Sequence, residues 1–153
     1  MKAVGIGFSL LLVALTLTPH AQGSTICLLL SGDDPERVLA RLPVEEKVPF
    51  CLEFVNSIYL APVRETFAYQ PGEGLFLIRV ESPSAGVFEY YGLPPDRSGS
   101  AEMKRKLGDL RLLSHDYQHH RLWVGNKTLS LKGLIPDGQP LTIKVRTGQA
   151  CEP

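Results

Sequence analysis

Asn56 and Glu65 are the two polar residues on what the period-two pattern makes the apolar side of a β-hairpin. From Phe50, alternate residues run Phe50, Leu52, Phe54, Asn56 and Ile58; from Val63 they run Val63, Glu65, Phe67 and Tyr69. A four-residue connection at Tyr59–Pro62 would set Ile58 opposite Val63, Asn56 opposite Glu65, Phe54 opposite Phe67 and Leu52 opposite Tyr69. A carboxylate taken out of water is costly unless hydrogen-bonded, so such a pair is either a satisfied structural plug or the floor of a ligand site. The same parity turns Glu53 and Ser57 to the opposite side.

A second group with chemistry is Ser114–Arg121, which holds every histidine beyond residue 23. His115, Asp116 and His119 have side chains acceptable to zinc, but no second ligand-rich motif accompanies them, and an exposed polar connection is the default reading. His120 and Arg121 fit better as anion recognition, because a guanidinium offers a fork of donors matched to carboxylate or phosphate, and His119 joins them among the candidate ligand-binding residues. Tyr90 and Tyr91 form a third candidate. They lie in a Gly- and Pro-rich stretch, Ser82–Ser100, and can either line a binding surface or cover the end of a core. No catalytic residue, metal site or cofactor is assigned. The chain has no G-x-S-x-G, H-E-x-x-H, C-x-x-C, P-loop or dinucleotide fingerprint, which lowers the enzyme reading without removing a hydrolase built from scattered groups.

The elements that must position these residues are mostly strands. Ile26–Leu30, Phe50–Ile58, Val63–Tyr69 and Leu75–Val80 come first, followed by Leu110–Leu113, Arg121–Val124, Thr128–Leu131 and Leu141–Val145. Gly125-Asn126 and Pro136-Asp137-Gly138 supply turns, and Asn126-Lys127-Thr128, although it fits a glycosylation pattern, is explained by the turn. Asp33–Glu36 reads as a turn or one helical turn reaching Leu39, and Ala101–Leu107 as a short basic helix stopped by Gly108. About eight short strands with at most one or two short helices give an all-β single domain, a β-sandwich or a partly open barrel.

Lys2, the apolar run Ala3–Leu17, the breakers Thr18 and Pro19, and Ala21-Gln22-Gly23 have the layout of a secretory signal over residues 1–23. An uncleaved anchor is the alternative; a lipoprotein is disfavoured because Ile26 precedes Cys27. Cleavage would leave an exported domain of residues 24–153, with the periplasm as its expected location. Without Lys2 the 16 basic residues become 15 against 16 acidic, a net charge of −1, which argues against a nucleic-acid partner. No later stretch is long and apolar enough to insert in a membrane. Of the three cysteines, Cys27 and Cys151 at the ends are the preferred disulfide, leaving Cys51.

The span Phe50–Phe67 also resembles the domain of unknown function 1850 family, small exported bacterial proteins. Its pattern is an aromatic strand, H-S-V/I, a short gap, P-V-x-E and an aromatic; Ser57, Ile58, Pro62, Val63, Glu65 and Phe67 match, while Asn56 stands in place of the histidine. Tyr91-Gly92-Leu93-Pro94 and His120-Arg121-Leu122 with Gly125 are similar to two later blocks. The resemblance implies no established activity. It implies an accessory role beside tripartite ATP-independent periplasmic solute transporters, with a transporter component or its solute as partner. A small-ligand protein for organic anions or metal is the alternative. Asparagine at residue 56 removes the protonation switch that a histidine would bring.

Overall fold

The computed structural model describes residues 25–94, 98–147 and 151, so the expected signal over residues 1–23 lies outside the described residues. Ten strands form two antiparallel sheets: β1 (Thr25–Ser31), β2 (Val38–Glu45), β3 (Phe50–Asn56), β4 (Ala61–Gln70), β5 (Gly74–Glu81), β6 (Ser100–Leu107), β7 (Leu110–Leu113), β8 (Arg121–Val124), β9 (Lys127–Ser130) and β10 (Pro140–Thr147). The narrow sheet has the order β2-β1-β10-β7 and the wide one β6-β5-β4-β3-β8-β9. Ile26, Leu28, Leu30, Leu141 and Ile143 from the narrow sheet share one buried cluster with Phe50, Leu52, Val63, Phe67 and Leu122 from the wide sheet. The chain is therefore an all-β sandwich with open sheet edges, not a closed barrel.

Every expected strand is present, and two more appear where none was expected. Val38–Glu45 is strand β2, not the tail of a helical turn; only the turn at Asp33–Arg37 survives. It pairs with β1 alone, and an edge strand accommodates Pro43, which has no N–H to donate. Ala101–Leu107 is strand β6, correcting the expected helix. Its Ala101, Met103 and Leu107 are partly buried while Glu102, Lys104 and Lys106 are exposed, and pairing with β5 satisfies a backbone that seven helical residues would leave marginal. The exposed lysines also discourage another strand from adding to that edge.

Among the described residues, one helix, α1 (Ala85–Tyr90), interrupts the stretch expected to be irregular. Val87 and Phe88 enter the core, helping to cover a six-stranded sheet that the four-stranded one cannot cover alone. Gly86 is required for a close approach: a Cβ there would overlap the Tyr59 ring. Leu131–Gly133 forms a single 3-10 turn. Cys27 and Cys151 are disulfide-bonded across 124 residues, with Cα atoms 5.3 Å apart, and Cys51 is a free thiol.

The β3–β4 register differs from the expected one. Phe50 pairs with Phe67, Leu52 with Glu65, Phe54 with Val63 and Asn56 with Ala61, so Asn56 does not face Glu65. The connection is Ser57–Leu60, four residues as expected but starting two earlier. Asn56 causes the early turn: its Oδ1 accepts the N–H groups of Ile58 at 2.9 Å and Tyr59 at 3.0 Å. Leu60 completes it with φ 48°, in the left-handed region. Ile58 and Leu60 are 68% and 80% exposed, which removes the expected contact of Ile58 with Val63.

Candidate functional site

The register assembles a row of charge across the outer face of the wide sheet. Arg121 of β8 is opposite Glu53 of β3, Glu53 is opposite Arg64 of β4, and Arg64 is opposite Glu81 of β5. Antiparallel partners point to the same face, so four side chains of alternating sign stand in line on four neighbouring strands. The two in the middle satisfy each other. Arg64 lies 3.3 Å from Glu53 Oε1, the Trp123 indole donates to Glu53 Oε2 at 2.7 Å, and the guanidinium sits 5.7 Å from the Trp123 ring centre. The two ends have no such partner: among the described residues neither Arg121 nor Glu81 makes an ion pair or a side-chain hydrogen bond.

This row lies along an open groove of about 590 Å³. His119 and Arg121, both exposed, line it together with Glu81. Val55, Pro62 and Pro83 add apolar surface. The groove thus combines a guanidinium and an imidazole free to accept an anion, a carboxylate free to accept a cation, and apolar walls between them.

Glu65 and Tyr91 meet elsewhere. Glu65 belongs to the inner face, in a row with Leu52, Leu122 and Val80. The Tyr91 hydroxyl, carried just beyond α1, donates to Glu65 Oε1 at 2.6 Å, and Arg105 of β6 donates to the Tyr91 carbonyl at 2.7 Å. Loss of hydration pushes the Glu65 carboxyl above its ordinary range, with the Tyr91 hydroxyl and the Arg105 charge pulling it partly back. Burial and the neighbouring carboxylate hold the Tyr91 hydroxyl well above its ordinary value. Tyr91 thus keeps its proton and acts as the donor at neutral pH, and the contact ties the α1 excursion to the sheet.

The seven residues singled out from sequence therefore separate. Glu65 and Tyr91 come together inside, with Tyr90 edge-on to Tyr91 at 5.6 Å but 66% exposed. His119 and Arg121 share the groove. Asn56 is a turn residue. His120 points inward, stacked on Phe54 at 5.7 Å and edge-on to Tyr117 at 5.1 Å, so it cannot share an anion with Arg121 as the sequence suggested. Its Nδ1 is buried without a hydrogen-bond partner, and desolvation lowers its pKa. The expected exposed connection is anchored by Tyr117, fully buried, whose hydroxyl donates to the Gln139 carbonyl at 2.8 Å and whose N–H donates to Asp137 at 2.7 Å. Among the described residues no three His, Cys, Asp or Glu side chains converge as metal ligands.

Glu53, Arg64 and Glu81 were not selected from sequence. The signal was partly visible, since parity had placed Glu53 on the outer face, but the row exists only in the register that the Asn56 turn sets. Comparison with family models, curated proteins and solved structures returned no match for this chain.

Proposed function

We propose that this protein is a non-catalytic, exported solute-binding module that takes an anionic small molecule in the outer-face groove, with Arg121 and His119 receiving the anion. The observation that carries the reading is the unpaired Arg121 guanidinium on a groove wall whose other arginine, Arg64, is already neutralised by Glu53. A free fork of donors beside apolar surface is suited to an organic carboxylate. The chain-end disulfide and the leader-like first 23 residues support work in an oxidising compartment. With the family resemblance, they support an accessory place beside a solute transporter.

The test is a thermal-shift panel of mono- and dicarboxylates on the wild type and on Arg121→Gln. A ligand that binds only the folded state raises its stability in proportion to occupancy, by about 2.7 kcal/mol at one hundred times Kd. A carboxylate that stabilises the wild type and leaves Arg121→Gln unmoved supports the reading; a flat panel on both proteins refutes it.

A further inference from the structure

The charge row has a polarity that a simple anion does not use. Its centre is internally neutral, because Glu53 is held by Arg64 and by the Trp123 N–H. Its ends are opposite in charge and, among the described residues, make no ion pair, with Arg121 positive on β8 and Glu81, whose charge also acts on the neighbouring Arg64, negative on β5. Three inter-strand steps separate them. At roughly 4.8 Å per step, the two ends stand about 14 Å apart along the sheet. An extended polypeptide advances about 3.3–3.6 Å per residue, so four residues cover that distance between a terminal ammonium and a terminal carboxylate.

Resting on the proposal that the groove binds a ligand through Arg121, we infer that this ligand is a short extended peptide of about four residues with free termini, its carboxylate at Arg121 and His119 and its ammonium at Glu81. The peptide lies across the strands, over the neutral Glu53 and Arg64 pair, and its side chains rest on Val55, Pro62 and Pro83. A longer peptide overruns one end and loses one terminal contact. A single amino acid reaches only one end. A short dicarboxylate such as succinate likewise reaches only the Arg121 end and leaves Glu81 without a partner. An isolated cross-strand charge ladder would serve as solvated surface, but it would gain by closing its ends with partners, and here the ends are open among the described residues.

Isothermal titration of the wild-type protein with Ala-Val-Val-Ala separates these cases, alongside its N-acetylated form, its C-amidated form and succinate. The free peptide is expected to bind, and blocking either terminus to weaken binding by about tenfold, the size of one charge-assisted hydrogen bond. Arg121→Gln is expected to weaken the free peptide and leave the amidated one unchanged; Glu81→Gln is expected to do the same for the acetylated one. The blocked peptides test the inference on the wild type alone, so it stays open to refutation even if a variant misfolds. Arg121-dependent binding of succinate with none of the peptide overturns the inference and leaves the solute-binding reading standing. No binding of either overturns both.

Discussion

Glu65 and Glu81 lie on adjacent strands, one step apart in register, and face opposite sides of the same sheet. Glu65 is set among Leu52, Leu122 and Val80 and has acquired a committed donor, the Tyr91 hydroxyl at 2.6 Å. Glu81 is set beside Arg64 at a groove wall and has no committed donor. The difference follows from solvent. An inward acid must be hydrogen-bonded for the sheet to close over it, whereas an outward acid can wait for a partner at little cost. A polar residue on an apolar face is thus the more conspicuous in sequence but the less available for binding.

That contrast is open to attack by substitution. The largest effect is expected at the interior pair. Tyr91→Phe leaves the Glu65 oxygen without its donor and should lower the unfolding free energy by about 1–3 kcal/mol in urea denaturation. Glu65→Gln keeps an acceptor for Tyr91 and removes a carboxyl whose pKa is raised in the folded state. Such a group contributes stability that is full below its unfolded value, about 4.3, and lost as pH rises through the folded value. The variant should therefore lose less stability than the wild type between acid and neutral pH. An identical pH dependence for both would show that Glu65 is hydrated and the inside-outside contrast false.

His120 offers the opposite sign. Desolvation lowers its folded pKa, so its contribution is present above the unfolded value, about 6.5, and lost as pH falls through the folded value. His120→Phe, whose ring can still stack on Phe54, should flatten the loss of stability on that acid limb, read from denaturation midpoints at several pH values. Smaller still is the outer pair: a double-mutant cycle on Glu53 and Arg64, both partly exposed, should give a coupling of about 0.2–1 kcal/mol that shrinks in salt. Arg121→Gln should move the unfolding free energy by no more than about 0.5 kcal/mol, since it is exposed and unpaired. A larger loss would mean that Arg121 holds the sheet together.

Strands were legible because their inner faces alternate, and the disulfide because one cysteine lies in the first strand and the other follows the last. Register was not. Pro62 drew the turn toward itself, yet it sits near the start of β4 opposite Val55, before pairing with β5 begins at Arg64, where a missing N–H is tolerated. Asn56 carried the competing signal, a side chain able to cap its own turn, and that signal prevailed. The outer charge row was hidden for the same reason: Glu53, Arg64, Glu81 and Arg121 are ordinary surface residues until the register aligns them. The strand nature of Ala101–Leu107 depended on the edge that β5 presents on the side away from β4, which local helix propensity does not report.

A nitrogen-15 NMR titration of residues 24–153 with Ala-Val-Val-Ala tests the separation most directly. Amide shifts concentrated at Glu53, Arg64, Glu81, His119 and Arg121, with Leu52, Glu65 and Tyr91 unmoved, are the result expected of an outer binding groove and an inner structural contact. Shifts centred on Glu65 and Tyr91, or none at saturating peptide, would contradict it.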